Sequence, residues 1–271
     1  LVLDKNFIFA RPINLKMATY KKRGYKPKNK AEERELDSQK SATAEVFSSL
    51  DESASRSEQW VAKNQNYILG LIGVIAIGVL GYLAYSQFIQ KPKEANAANE
   101  MFYPQQYFDQ ALNNTAEKDS LFTLALNGAE GKYGFLDIID EYKGTKAANL
   151  ANYSAGMAYL NMKQYENAIS HLENFSSNDA ILGALAKGGI GDAFMQLGQT
   201  SDALGYYELA FAHNINDFTT PRFLYKAGVT AMELNQNEKA LQYFQRIKDE
   251  FANSEEANTI DAFIGMAKSK K

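Results

Sequence analysis

The sequence predicts an all-α protein: a solenoid of helical hairpins, a single N-terminal transmembrane helix and a disordered N-terminal tail. Three observations carry this. A charge-free apolar run occupies Tyr67–Ile89. No stretch of useful length alternates apolar and polar residues as a half-buried strand would. And one pattern recurs three times: GMAYLNMKQYENAISHLE from Gly156, GDAFMQLGQTSDALGYYE from Gly191 and GVTAMELNQNEKALQYFQ from Gly228.

The 271 residues leave room for one or two domains. With no cysteine, disulfides, thiolate nucleophiles and Cys-ligated metals are excluded. The only histidines, His171 and His213, argue against a His-rich metal site. The net charge of -3 hides an asymmetry, since KMATYKKRGYKPKNK (Lys16 to Lys30) carries seven Lys/Arg and no acid, whereas the chain beyond Gln90 is acidic. The two ends are therefore expected to lie in different surroundings.

In chain order, residues 1–16 read as an upstream extension or misannotated start ahead of a natural start at Met17. Residues 17–66 are rich in Lys, Glu, Ser and Ala and bury too little apolar surface to offset ordering, so a basic, mostly disordered cytosolic tail is expected, with a transient helix at Ala42–Leu50. Residues 67–89 suffice for a transmembrane helix, because ~20 residues span the ~30 Å hydrocarbon core. Trp60 and Tyr67 near one end, and Tyr82 and Tyr85 toward the other, suit the two interfaces. The basic cluster predicts a cytoplasmic N-terminus and an external C-terminal domain. At about 100° per residue, Gly70, Gly73, Gly81 and Ala84 fall within about 80° of each other, a small-residue face that would let another helix approach closely.

Residues 90–271 are helical by pattern. A first helix over 94–112 is expected to kink or restart at Pro104. Leu121–Ala129 and Phe135–Tyr142 read as a helical pair punctuated by glycines. Then come repeats near 149–182, 184–217 and 221–254, and a capping helix over 255–271. The repeat glycines Gly156, Gly191 and Gly228 are 35 and 37 residues apart. Twelve positions after each stands an alanine, Ala168, Ala203 and Ala240, and sixteen after a large apolar residue, Leu172, Tyr207 and Phe244. The small residue of one helix lets its partner pack closely, and the large one fills the wedge between repeats.

This pattern resembles the tetratricopeptide repeat, two antiparallel helices in about 34 residues. Departures are plain. The usual Trp of the first helix is replaced by Asn152, Lys187 and Leu224, and the Pro that ends a repeat is missing. The layout over roughly residues 55–271, a membrane helix followed by a repeat domain, is similar to the YfgM-like ancillary subunits of the bacterial Sec translocon. That resemblance implies an inner-membrane protein with a periplasmic repeat domain. It also implies association with a SecYEG-type channel, a PpiD-type membrane-anchored chaperone and secreted chains, for secretion or periplasmic chaperoning. The long basic tail departs from that family. An envelope scaffold for cell-division or outer-membrane assembly complexes is the alternative.

By the family's positions a protein-binding groove would be lined by Tyr153, Met157, Leu160, Asn161, Asp192, Met195, Gln196, Tyr225, Met232 and Glu233. Met adapts to varied apolar partners, and Tyr joins large contact area to a polar tip. The rival reading is that several of these Met and Tyr side chains pack between helices. No Lys/Arg pair has the spacing of a carboxylate clamp. No catalytic constellation, cofactor motif or metal site is expected. GLIGVIAIG is membrane, GAEGKYG lacks the Lys-Ser/Thr of a phosphate loop, and neither nucleic acid nor a small-molecule substrate is called for.

Overall fold

The computed structural model describes residues 26, 27 and 29–269. The upstream segment 1–16 and most of the basic stretch 16–30 lie outside the described residues. The chain divides into two compact units, Leu1–Gly78 and Val79–Lys271.

Within the first unit, the described chain is the greater part of a long helix, α1 (Lys30–Tyr85). The expected disorder over 17–66 is thus replaced by helix from Lys30 onward. Ala, Glu, Lys and Gln, all good helix formers, are frequent there, and neither Gly nor Pro interrupts the chain before Gly70. Beyond Tyr67 α1 becomes apolar, and its Leu, Ile and Val residues from Leu69 to Leu83, wherever their exposure is given, are more than half exposed. Among the described residues it is the one helix long and apolar enough to cross a membrane.

In the second unit α1 ends in a π-helical turn, Ser86–Gln90, that leads into α2 (Lys91–Glu100). The expected restart at Pro104 occurs two residues earlier: α3 spans Phe102–Asn113. Proline clashes with the carbonyl four residues back, here that of Glu100, so the break falls before the Pro and the Pro sits in the first turn of the next helix. The expected pair follows as α4 (Lys118–Asn127) and α5 (Phe135–Glu141). Gly128 (φ 75°) ends α4 in a left-handed conformation, and a Cβ there would sit 2.1 Å from the Lys132 carbonyl oxygen.

Three hairpins then stack: α6 (Lys146–Asn161) with α7 (Tyr165–Glu173), α8 (Leu182–Gln196) with α9 (Thr200–His213), and α10 (Thr219–Glu233) with α11 (Asn237–Glu250). After a short 3-10 turn, α12 (Ile260–Ser269) packs on α11. In each hairpin the repeat glycine receives a side chain from the second helix. A Cβ at Gly156 would lie 2.6 Å from Leu172, one at Gly191 2.7 Å from Tyr207, and one at Gly228 2.3 Å from Phe244. Ala168, Ala203 and Ala240 are fully buried. Gly265, the matching position of α12, meets nothing, and the face around it is exposed Asp261, Lys268 and Ser269.

The turns inside the hairpins also repeat. Lys163, Gly198 and Asn235 all have left-handed backbone (φ 61°, 75° and 58°). The following glutamine N–H groups, of Gln164, Gln199 and Gln236, reach back to the carbonyls of Tyr159, Phe194 and Ala231 at 2.8–2.9 Å. This is the Schellman ending, which satisfies carbonyls that the helix leaves open.

The start of α2 is tied to the loop between α5 and α6. Gln90 Nε2 donates to the Gly144 carbonyl (3.3 Å), and Lys93 Nζ to that of Lys143 (2.9 Å). The Glu94 carboxylate accepts the Lys146 and Ala147 N–H groups (2.9 and 3.2 Å) at the N-terminus of α6. An acid is favoured there by open N–H groups and by the helix dipole.

Candidate functional site

The first helices of the three hairpins, α6, α8 and α10, border a groove of about 620 Å³. Six of the ten residues named from sequence line it: Leu160, Asn161, Asp192, Met195, Gln196 and Tyr225. The wall is mixed. Leu160, Met195, Tyr225 and Val229 supply apolar surface, and side-chain amides supply polar points. Asn161 Nδ2 donates to the Met157 carbonyl (2.9 Å), which leaves its side-chain oxygen as the acceptor to offer. The Gln196 oxygen accepts from the Tyr165 hydroxyl at 3.4 Å.

Four of the named residues stand elsewhere. Tyr153 packs on Phe175 (ring centroids 5.1 Å apart), and burial pushes its phenol pKa up. Met157 packs in the same apolar cluster, facing Gly189, whose missing side chain leaves room for Leu172 and the Met157 sulfur. Met232 holds the same repeat position as Leu160 and Met195, but it is 8% exposed in a core that includes Ile260 and Ile264 of α12. Glu233 is exposed and outside the groove lining.

The groove's central polar group was only half visible in the sequence. Lys226 Nζ reaches both Asp192 carboxylate oxygens (2.5 and 2.7 Å), and the Tyr207 hydroxyl donates to Asp192 Oδ1 (2.7 Å). The ammonium also lies over the Tyr207 and Phe223 rings, 5.6 and 6.0 Å from their centroids. Burial, then the charge of Asp192, raises the Tyr207 pKa. Asp192 is therefore a neutralised, oriented carboxylate, and Lys226 keeps donor capacity toward the groove. Its counterparts at the same repeat position are Ser154 and Gly189, so no recurring signal marks it.

Among the described residues the small-residue face of α1 has no neighbour: a Cβ at Gly70, Gly73 or Gly81 would meet nothing within 4 Å, and Ala84 is exposed. A larger hollow, about 1010 Å³, lies along α2, α3 and α4, between Met101, Phe102 and Leu121 on the apolar side and Gln105, Gln106 and Gln110 on the polar side. No sequence pattern pointed to it.

The histidines hold structure. His171 stacks on Tyr159 (5.4 Å) with Nδ1 3.1 Å from the Asn152 side-chain oxygen, and burial lowers its pKa. His213 places Nε2 3.1 Å from the Asp179 carbonyl and Nδ1 3.1 Å from Lys187 Nζ, joining the start of α8 to the end of α9. Among the described residues no group of three or more His, Asp or Glu could hold a metal ion.

No curated protein matches this chain. A family model described as tetratricopeptide repeat matches residues 223–254, and a second model of that description matches residues 151–177. The matches fall on the α10–α11 and α6–α7 hairpins, on either side of a third hairpin of the same build. The chain thus carries tetratricopeptide repeats, and they form the walls of its groove.

Proposed function

We propose that the protein is a membrane-anchored tetratricopeptide scaffold that holds a segment of another protein in the groove between α6, α8 and α10. The observation that carries this is the groove wall: adaptable Leu160 and Met195, the Tyr225 ring and the fixed Asp192–Lys226 pair along one continuous surface. Such a wall suits an amphipathic or extended peptide, with apolar anchors on the Met and Tyr positions and one polar contact at Lys226. The exposed apolar part of α1 supports the anchor, because that surface gains by leaving water.

The finer reading places the scaffold beside a SecYEG-type channel, with a PpiD-type chaperone and secreted chains as partners and the repeats in the periplasm. It rests on the resemblance in layout. Anchoring would raise the local concentration of groove and client without any new contact. Photo-crosslinkers at Gln196 and Val229, in intact membranes, followed by identification of the joined proteins, test it. Secreted chains or channel subunits are the expected products. Recovery of cell-division or outer-membrane assembly proteins instead would move the scaffold to the rival site, and an inactive alkaline phosphatase fused after Lys271 would overturn the periplasmic placement.

A further inference from the structure

The second unit places lysines from two segments of the chain where its apolar helix stops. Ile89 is the last apolar residue of the run and is 55% exposed. Gln90, the next residue, is hydrogen-bonded to Gly144, so the loop between α5 and α6 is held level with the end of the apolar surface. Lys93 grips the same loop through the Lys143 carbonyl, and Glu94 holds the far end of the loop by capping α6. Lys91 turns back along its helix to donate to the Gln87 side chain at 2.6 Å. Four lysines from two distant segments, Lys91, Lys93, Lys143 and Lys146, thereby gather around one level of the molecule, and Lys91, Lys143 and Lys146 are exposed. Of the acids nearby, Glu94 is engaged at the α6 N-terminus, Asp140 and Glu141 at the end of α5 are exposed, and Glu100 adds, after burial, to the causes that raise the Tyr142 pKa in the same loop.

We propose that this lysine collar, Lys91 with the 142–146 loop, binds the phosphates of phospholipid headgroups around the point where α1 leaves the bilayer. The inference rests on the membrane reading of α1. If the hydrocarbon boundary falls at Ile89, the headgroup layer covers roughly the next 5–8 Å, the level at which the Gln90–Gly144 bond holds the loop. Ammonium groups there meet phosphate oxygens at short range, where attraction is least screened. The collar would also fix the angle at which the repeat domain stands on the membrane, because Glu94 links it directly to α6, the first wall of the groove.

The natural absence of cysteine makes a clean test possible in the full chain reconstituted into vesicles. Single fluorophores are placed at Glu141→Cys beside the collar, at Leu80→Cys in the apolar run and at Gln242→Cys on α11. A quencher is carried on the lipid headgroups. The collar predicts several-fold stronger quenching at 141 than at 242, lost when Lys91, Lys143 and Lys146 are all changed to Glu and weakened when they are changed to Gln. Quenching at 141 no stronger than at 242, with 80 shielded from aqueous iodide, overturns the collar and leaves the anchor standing. Quenching at 141 that survives both sets of lysine changes overturns it as well, since nearness to the anchor alone would then explain the signal. Iodide access at 80 overturns the membrane reading itself, and the collar with it.

Discussion

The two sides of the same hairpins obey different rules. On the side where the helices of a hairpin meet, the three repeats are nearly copies: Gly156, Gly191 and Gly228 receive Leu172, Tyr207 and Phe244, beside Ala168, Ala203 and Ala240. On the groove side the copies diverge. The position after the glycine lines the groove as Asp192 and Val229 but turns inward as Met157, and two before it the groove has Lys226 where the other copies have the buried Ser154 and Gly189. The packing side must solve one steric problem three times, whereas the groove side has one job spread over three hairpins. Repetition therefore marks what holds the solenoid together, and departure from repetition marks where it can be specific.

That contrast is broken most severely from the packing side. Phe244 is fully buried and fills the Gly228 socket, so Phe244→Ala is expected to cost about 4 kcal/mol in urea-induced unfolding, from lost burial plus the cavity. Gly228→Ala attacks the same contact from the other side. Its Cβ would stand 2.3 Å from the Phe244 ring, and a loss of about 2 kcal/mol is expected as ring and helices move apart. A negligible change in both would mean that the hairpins tolerate slippage, and that the repeated glycines are not the packing constraint.

On the groove side the expected stability change is smaller and the binding change larger. Asp192→Asn leaves Lys226, about a third exposed, without its counter-charge, at a cost of about 1 kcal/mol after allowing for solvent screening. Crosslinking from Gln196 should fall further than this change in fold stability would explain. Equal losses would mean that Asp192 serves packing alone, like its repeated neighbours.

Alkaline titration probes links between hairpins. Tyr206 donates to Glu173 of the preceding hairpin and Tyr243 to Glu208, both at 2.7 Å. Burial first, then the hydrogen bond to Glu173 and its charge, pushes Tyr206 up to about 12, and the same kinds of cause raise Tyr243. Below about pH 10 these phenols are protonated in both folded and unfolded chains, and their contribution is fully present. As pH rises through about 10 to 12 the unfolded chain loses its protons first, so stability must fall. Urea midpoints followed over that range should drop less steeply in Tyr206→Phe and Tyr243→Phe than in the parent chain.

How much could be read beforehand follows from the same contrast. The helical hairpins and their glycine sockets were legible because identical steric demands leave identical residues at fixed spacing. Leu160, Met195 and Gln196 fall on the groove wall because that wall follows the repeat geometry. Met232 was misplaced because its surroundings are not repeated: the last hairpin is followed by α12, whose Ile260 and Ile264 join the same core. Tyr153 and Met157 turn inward for a local reason too, since Phe175 and Gly189 offer them surface and space. Lys226 was missed because a single lysine at an unrepeated position carries no periodic signal. The helix from Lys30 was missed because low apolar content was read as disorder, although its residues favour helix.

The mildest change sharpens the comparison at the turns, where all three hairpins share a backbone conformation but not a residue. Gly198 adopts its φ of 75° freely, while Lys163 and Asn235 hold φ of 61° and 58° against the clash of their own Cβ. Asn tolerates this region better than Lys. Lys163 is exposed, so little packing is lost when it is removed. Lys163→Gly should therefore raise stability by about 1 kcal/mol, the left-handed strain relieved less the added entropy of the unfolded chain. Asn235→Gly should gain less, and Gly198→Ala should lose about as much as Lys163→Gly gains. Since Lys163 also borders the groove, the glycine variant separates two roles. Increased stability with unchanged crosslinking from Gln196 assigns residue 163 to the turn, whereas reduced crosslinking in a more stable protein assigns its ammonium to the client.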